Sequence, residues 1–289
     1  MKKYRTFLTR RWHTILCILF MIIVLALLLQ KDLAEETIQY FPPDEAAHFV
    51  EAATELSLSE DTEQDSEQIK WHSHSASNQK MYLRQDISLV FKNGYLFGIQ
   101  SIWKQNEAKI TLDSDFPADK NTLLQSISYH HGEIHYPKEE IRSIQQMSAD
   151  HLYLTEELVS FKKATPDQQP WQDQLDQATR QRLQTTWKQW MADQQIDVDQ
   201  YDQVPLIDLI QFQRHPMQGF TQAETDQIMG QLWEGLYRNY LIPLIDDNNL
   251  TKVNMPLILL SVKHDHLLVL YNTPDQQVQS LRQQTGKQP

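Results

Sequence analysis

This chain has no second cysteine to pair with its first, few glycines and no compact catalytic motif. The single cysteine, Cys17, lies inside an apolar run, so no intramolecular disulfide is available and a body of about 250 residues must be held by its core. Small secreted eukaryotic domains rely on disulfides, so a bacterial envelope is the expected setting. Only seven glycines occur in 289 residues, well under the roughly 7% of average proteins. They are scattered from Gly94 to Gly286, and none builds a dinucleotide-binding loop or a P-loop. Gly-x-Ser-x-Gly and His-Glu-x-x-His are both absent, and a cysteine nucleophile is excluded outside the apolar run. Several large enzyme classes are thereby disfavoured, although a site assembled from dispersed residues leaves no such signature.

Acidic residues are missing from the first thirty positions. Lys2, Lys3, Arg5, Arg10 and Arg11 lead into fifteen apolar residues from Ile15 to Leu29. Extended to 13–30, this segment gives roughly 27 Å of helix, enough to span a bilayer. The basic flank keeps residues 1–12 in the cytoplasm and places the remainder outside. The run ends in Gln30, Lys31 and Asp32, and the nearest small residue, Ala34, has Asp32 two positions before it. Signal-peptide cleavage needs small residues there, so the segment reads as an uncleaved signal anchor. Cys17, preceded by Leu16 within the run, does not fit a lipoprotein either. Residues 31–289 carry 21 basic and 38 acidic residues, a net charge of −17, which repels nucleic acid and anionic lipid headgroups.

The expected organisation beyond the anchor begins with a juxtamembrane segment, 31–68. It combines a short amphipathic helix over Asp44–Leu56 with a polar, acidic linker over Ser57–Gln68. A β-rich half follows over 69–163. Its strongest local signal is Asn93-Gly94 between ISLVF and YLFGI, a two-residue hairpin pairing Lys92 with Tyr95, Phe91 with Leu96 and Val90 with Phe97. Short strands are expected over Ala108–Leu112, Leu123–Tyr129, Glu133–Tyr136, Ile141–Gln145 and His151–Leu154. A helical half occupies 164–273. One helix opens at Pro170 and carries Trp171, Leu175, Ala178, Leu183, Trp187, Trp190 and Met191 on one face. Another follows a Thr221–Glu224 capping box and ends at Pro243. Strands Leu257–Val262 and Leu267–Tyr271 return as a hairpin, and 274–289 forms a loose tail. The fold class expected from this order is α+β.

Histidines carry the main candidate chemistry. His72 and His74 alternate on a strand and share a face, a geometry suited to zinc or another divalent metal. His131, Glu133 and His135 would share a face if their segment were extended throughout, but Gly132 is better used in a turn that breaks it. His264 and His266 flank Asp265 in an expected turn. Asp197, Asp199 and Asp208 occupy EF-hand positions, yet Tyr201 and Asp202 stand where an oxygen ligand and a glycine belong, which favours a solvated acidic loop. The neighbouring pairs Glu139–Glu140 and Glu156–Glu157 point to opposite strand faces and cannot flank a substrate together. The expected function is therefore that of a single-pass membrane protein whose extracytoplasmic domain binds another envelope or membrane protein in an accessory or regulatory role. The alternatives are an anchored, metal-dependent envelope hydrolase and a module binding a small ligand or wall glycan.

Overall fold

In the computed structural model the described residues are 38–61, 66–245, 250 and 252–286. The expected anchor, 13–30, lies outside them; among the described residues no helix is long and apolar enough to cross a membrane. The α+β expectation is corrected to a mostly antiparallel β architecture, half strand and 27% helical, built around a sheet curled into a half-barrel.

Six strands form that sheet: β1 (Phe49–Asp61), β2 (Ser66–Lys92), β3 (Tyr95–Pro117), β4 (Thr122–Tyr136), β5 (Glu140–Leu154) and β6 (Ser160–Phe161). Their order is β1-β2-β4-β5-β6, with β3 on the other edge of β2. The helix expected over Asp44–Leu56 is instead the approach to β1 and its first half, because Thr54 and Leu56 are buried at period two. The linker expected over Ser57–Gln68 is largely strand as well: β1 continues to Asp61 and β2 begins at Ser66, with Leu58 opposite Ile69. Glu60, Asp61 and Glu67 occupy a ladder whose backbone bonds compensate for the scarcity of apolar side chains. The folded body starts at the fully buried Ile38 rather than near Ile69.

The curl comes from β2. Its first half pairs with β1 and its second half with β4 along the same edge, and its pairing with β3 slips between Ala76 and Met81. That irregularity changes the inward-facing parity. Trp71, Ser73 and Ser75 point into the curl before it, and Arg84, Asp86, Ser88 and Val90 after it. The expected hairpin is present, with Asn93 and Gly94 both at positive φ and Lys92 opposite Tyr95 and Phe91 opposite Leu96. A second slip then sets Val90 opposite Gly98 rather than Phe97. The separate short strands expected beyond it merge: Gly132 lies mid-strand in β4, opposite Arg84 and Ile144, and makes no turn. An ideal Cβ there would lie 3.0 Å from the Arg84 side chain, so glycine serves close packing.

The helices cover the convex face. α1 (Gln169–Asp193) buries Leu175, Leu183, Trp187, Trp190 and Met191 as expected, while Ala178 is exposed. α2 (Gln222–Leu236) begins with both reciprocal bonds of the Thr221–Glu224 capping box. The chain stays helical past Pro243 to Ile245, because a π turn over Tyr237–Leu241 precedes it. A second antiparallel sheet, ordered β10-β9-β8-β7, contains β7 (Tyr201–Pro205), β8 (Leu257–Ser261), β9 (His266–Asn272) and β10 (Val278–Gln284). The expected loose tail contains β10, whose residues pair with β9 from Val278–Asn272 to Gln284–His266. The main apolar core lies between the two sheets and the helices, with Trp233, Leu232, Leu206, Leu257 and Leu89 fully buried.

Candidate functional site

The inside of the curl is apolar at one end, where Leu56, Trp71, Val90, Leu124 and Leu152 cluster, and polar along the rest. Strands β1, β2, β4 and β5 carry serine, threonine and charged residues at period two along their inward faces, so the groups solvate one another. Trp71 Nε1 donates to Ser88 and Ser126 at 3.0 and 2.9 Å, and Thr54 Oγ1 lies 2.6 Å from the hydroxyls of both Ser128 and Ser148. Arg84, Asp86 and His130 are 0% exposed. The Arg84 guanidinium reaches the Ala108 carbonyl at 2.7 Å and the Asp86 carboxylate at 3.4 Å, and Ser75 donates to Asp86 at 2.5 Å. Desolvation lowers the guanidinium pKa, and Asp86 partly offsets this.

Within this network His130 Nδ1 lies 2.6 Å from Asp86 Oδ2, and its Nε2 lies 2.8 Å from Ser148 Oγ. The connectivity is that of an acid–base–nucleophile triad. Reaction with an ester or amide also requires access for the carbonyl carbon. Ser148 is buried, Thr54 occupies its hydroxyl, and β1 packs across it. The trio therefore serves as a sealed internal salt-and-hydrogen-bond core in this conformation. Sequence reasoning missed it; the available signal was the alternation Trp71-x-Ser73-x-Ser75 with Asp86-x-Ser88 and Ser126-x-Ser128-x-His130.

The five expected metal ligands fall into two groups. His72 and His74 project from the outer face of β2, with facing nitrogens 3.0 Å apart. His131, Glu133 and His135 share one face of the uninterrupted β4; Glu133 lies between the rings at 3.4 and 3.5 Å. His131 is buried beside Tyr129, and Tyr82 stacks on His135 at 3.7 Å. Among the described residues no set of three or more histidine, cysteine, aspartate or glutamate side chains is arranged to hold a metal ion. Asp197 caps the backbone of Asp199, and the segment continues into β7 instead of an EF-hand loop. His266 pairs with Asp265 at 2.6 Å and lies 2.8 Å from the Tyr201 hydroxyl.

A cleft of about 500 Å³ opens between the N-terminal segment, β5 and the start of α2. Tyr129, Ile144, Met147 and Met229 provide an apolar lining, and Asp44, His48 and Asp226 add charged or titratable groups. Partial burial raises the Asp226 carboxyl above its ordinary range. Residues 42–44 lie parallel to β5 at one end: Ser143 N–H donates to the Pro42 carbonyl, and Asp44 N–H to the Ser143 carbonyl, each at 3.0 Å. Farther along, Met147 N–H is satisfied by Gln213 Oε1 at 2.6 Å, and Tyr129 donates to Gln145 at 2.8 Å. Tyr40 N–H donates to Glu234 at 2.9 Å, fixing the entering chain to α2.

No protein-family model matches the chain, and no curated protein matches it. Among solved structures it is similar to the solution structure of a protein from Arabidopsis thaliana, at 15% identity and a TM-score of 0.23, over 40% of this chain and 89% of that one.

Proposed function

We propose that this chain is a membrane-tethered accessory or regulatory protein whose extracytoplasmic body binds a protein of the cell envelope or membrane, and that the cleft beside β5 receives an extended segment of that partner. The observation carrying this reading is the edge of β5. It already accepts the chain's own residues 42–44 as an added extended segment, and the cleft continues along the same edge past Gln145 as far as Met147, whose N–H is taken by Gln213. Backbone pairing supplies affinity in such an arrangement, and side-chain pockets supply selection. The apolar lining suits one or two anchoring side chains, while Asp44 and Asp226 favour a basic residue beside them. The tether rests on the basic flank and apolar run of residues 1–30. The burial of Asp86, His130 and Ser148 favours binding over hydrolysis.

The test is site-specific photocrosslinking of the full-length protein in native membranes. A photoreactive residue at Gln146 or Gln227 in the cleft is compared with one at exposed Lys188 on α1. Expected is a discrete adduct with one membrane or envelope protein from both cleft positions and none from Lys188. Absence of a protein adduct from the cleft positions overturns the reading.

A further inference from the structure

His72 and His74 stand two residues apart on β2, and their ring centroids are 5.0 Å apart on the outer face of the curl. The nitrogens turned outward both meet carboxylates. His72 Nδ1 lies 2.5 Å from Asp113 Oδ1 on β3, and His74 Nε2 lies 2.9 Å from Glu51 Oε1 on β1. An ionised carboxylate only accepts, so each outward nitrogen must carry the proton and donate it. A neutral imidazole has one N–H. With that proton turned outward in both rings, His72 Nε2 and His74 Nδ1 present lone pairs to one another across 3.0 Å. Two lone pairs at that distance repel, and the repulsion is relieved either by a second proton that one ring donates to the other or by a metal ion bound to both.

The surrounding register favours a cation. On β1, Glu55 stands opposite His72 and Ala53 opposite His74; on β3, Asp113 and Thr111 occupy the corresponding places. Asp115 lies one inter-strand pair farther along, and Lys70 and Lys109 mark the two ends of this face. Four carboxylates therefore surround the imidazoles against two amines.

We propose that His72 and His74 form a surface site for one divalent transition-metal ion of the zinc or copper class. His72 Nε2 and His74 Nδ1 are the ligands, Asp113 and Glu51 orient the rings from behind, and water completes the shell. Metal–nitrogen bonds of about 2.0–2.1 Å place neighbouring nitrogen ligands about 2.9–3.4 Å apart for angles between square and tetrahedral, and the observed 3.0 Å falls in that interval. Carboxylates on the far nitrogens are the usual outer support of metal-bound histidine. The second histidine set differs, because a carboxylate already lies between His131 and His135. The proposal is independent of the cleft reading.

The experiment uses full-length protein in detergent, stripped by a chelator and titrated with Cu²⁺ or Zn²⁺ by calorimetry; the Cu²⁺ form is then examined by electron paramagnetic resonance. Expected are one ion per chain, hyperfine structure from two imidazole nitrogens, and at least hundredfold weaker binding in His72→Gln or His74→Gln. Asp113→Asn and Glu51→Gln should weaken binding about ten- to hundredfold, while His135→Gln leaves it unchanged. Melting curves establish that each variant remains folded; should a histidine variant unfold, the surface substitution Glu51→Gln decides the question. Failure of the native protein to bind an ion, unchanged affinity in a folded histidine variant, or unchanged affinity in Glu51→Gln where the histidine variants do not fold overturns the proposal.

Discussion

His130 and Asp86 face one another at 2.6 Å inside the curled sheet, and neither has any surface exposed to solvent. Their pairing depends on the slip in β2, since Asp86 would face the opposite side had Trp71 and Ser73 kept their parity past Ala76. A buried charge set of this kind costs desolvation energy and is poor evidence of stability in itself. It does tie β2, β4 and β5 to one register, because sliding either pairing by one residue would move the imidazole or its partners to the other face.

Asp86→Asn leaves the Arg84 guanidinium buried without its carboxylate. Truncating one member of a buried charged set costs about 3–5 kcal/mol. Urea denaturation of the substituted protein should therefore show a lower midpoint with a similar slope. The paired change Arg84→Met with Asp86→Leu removes both charges and should lie closer to the native protein. Equal losses from the single and paired changes would show that packing, rather than charge pairing, dominates there.

Signals confined to a few neighbouring residues were legible in the sequence. Asn93-Gly94 specified its hairpin because both residues must accept positive φ, and Thr221-x-x-Glu224 specified a helix start because both reciprocal bonds are local. Long-range pairing was not legible. The Phe49–Asp61 segment contains residues compatible with a short helix, yet it is a strand because the long β2 supplies a partner along its length. The same reason converts Val278–Gln284 from an expected tail to β10, with Leu267, Val269 and Tyr271 of β9 alongside. At the candidate sites, alternation placed His72 and His74 together, but no local pattern identifies the carboxylates that reach them from β1 and β3. The cleft was hidden because its wall joins residues near 40, 145 and 226.

Gly94→Ala tests the hairpin against its packing. Gly94 has φ +78°, and an added Cβ would run into the Arg182 guanidinium, which stacks on Tyr95 at 3.6 Å. Positive φ disfavours alanine by more than about 1 kcal/mol, and the clash adds to it. Combining Gly94→Ala with Arg182→Ala removes the closest clash but retains the backbone penalty and the 3.0 Å approach to Leu183. Thermal denaturation should therefore show a coupling between the two substitutions, and simple additivity would mean that Arg182 moves aside freely.

Acid should weaken the turn between β8 and β9. Hydrogen bonds from Ser261 and then His266 hold the Asp265 carboxyl down at about 2. Because its folded pKa is depressed, the contribution of this group is present above the ordinary aspartate value near 4. It is lost as pH falls from about 4 through about 2. Asp265→Asn should flatten the stability profile over that interval and leave its neutral limb unchanged in slope. An unchanged acid limb would assign the loss to other carboxylates.

The cleft can be separated from the stability of α2 because Thr221 at the helix start and Gly230 at its middle affect different things. Gly230 lets the helix approach Gln145 and Tyr40 so closely that an added methyl would collide with both. Gly230→Ala should push the helix from β5 and disturb the Tyr129–Gln145 bond that lines the cleft. Thr221→Ala removes the helix cap at a cost of about 1 kcal/mol, without inserting an atom between helix and strand. If the cleft receives a partner segment, Gly230→Ala will abolish the adduct formed from Gln227 while Thr221→Ala, folded at the assay temperature, retains it. Equal retention in both folded variants would mean that the partner does not use the part of the cleft shaped by the Gly230–Gln145 contact.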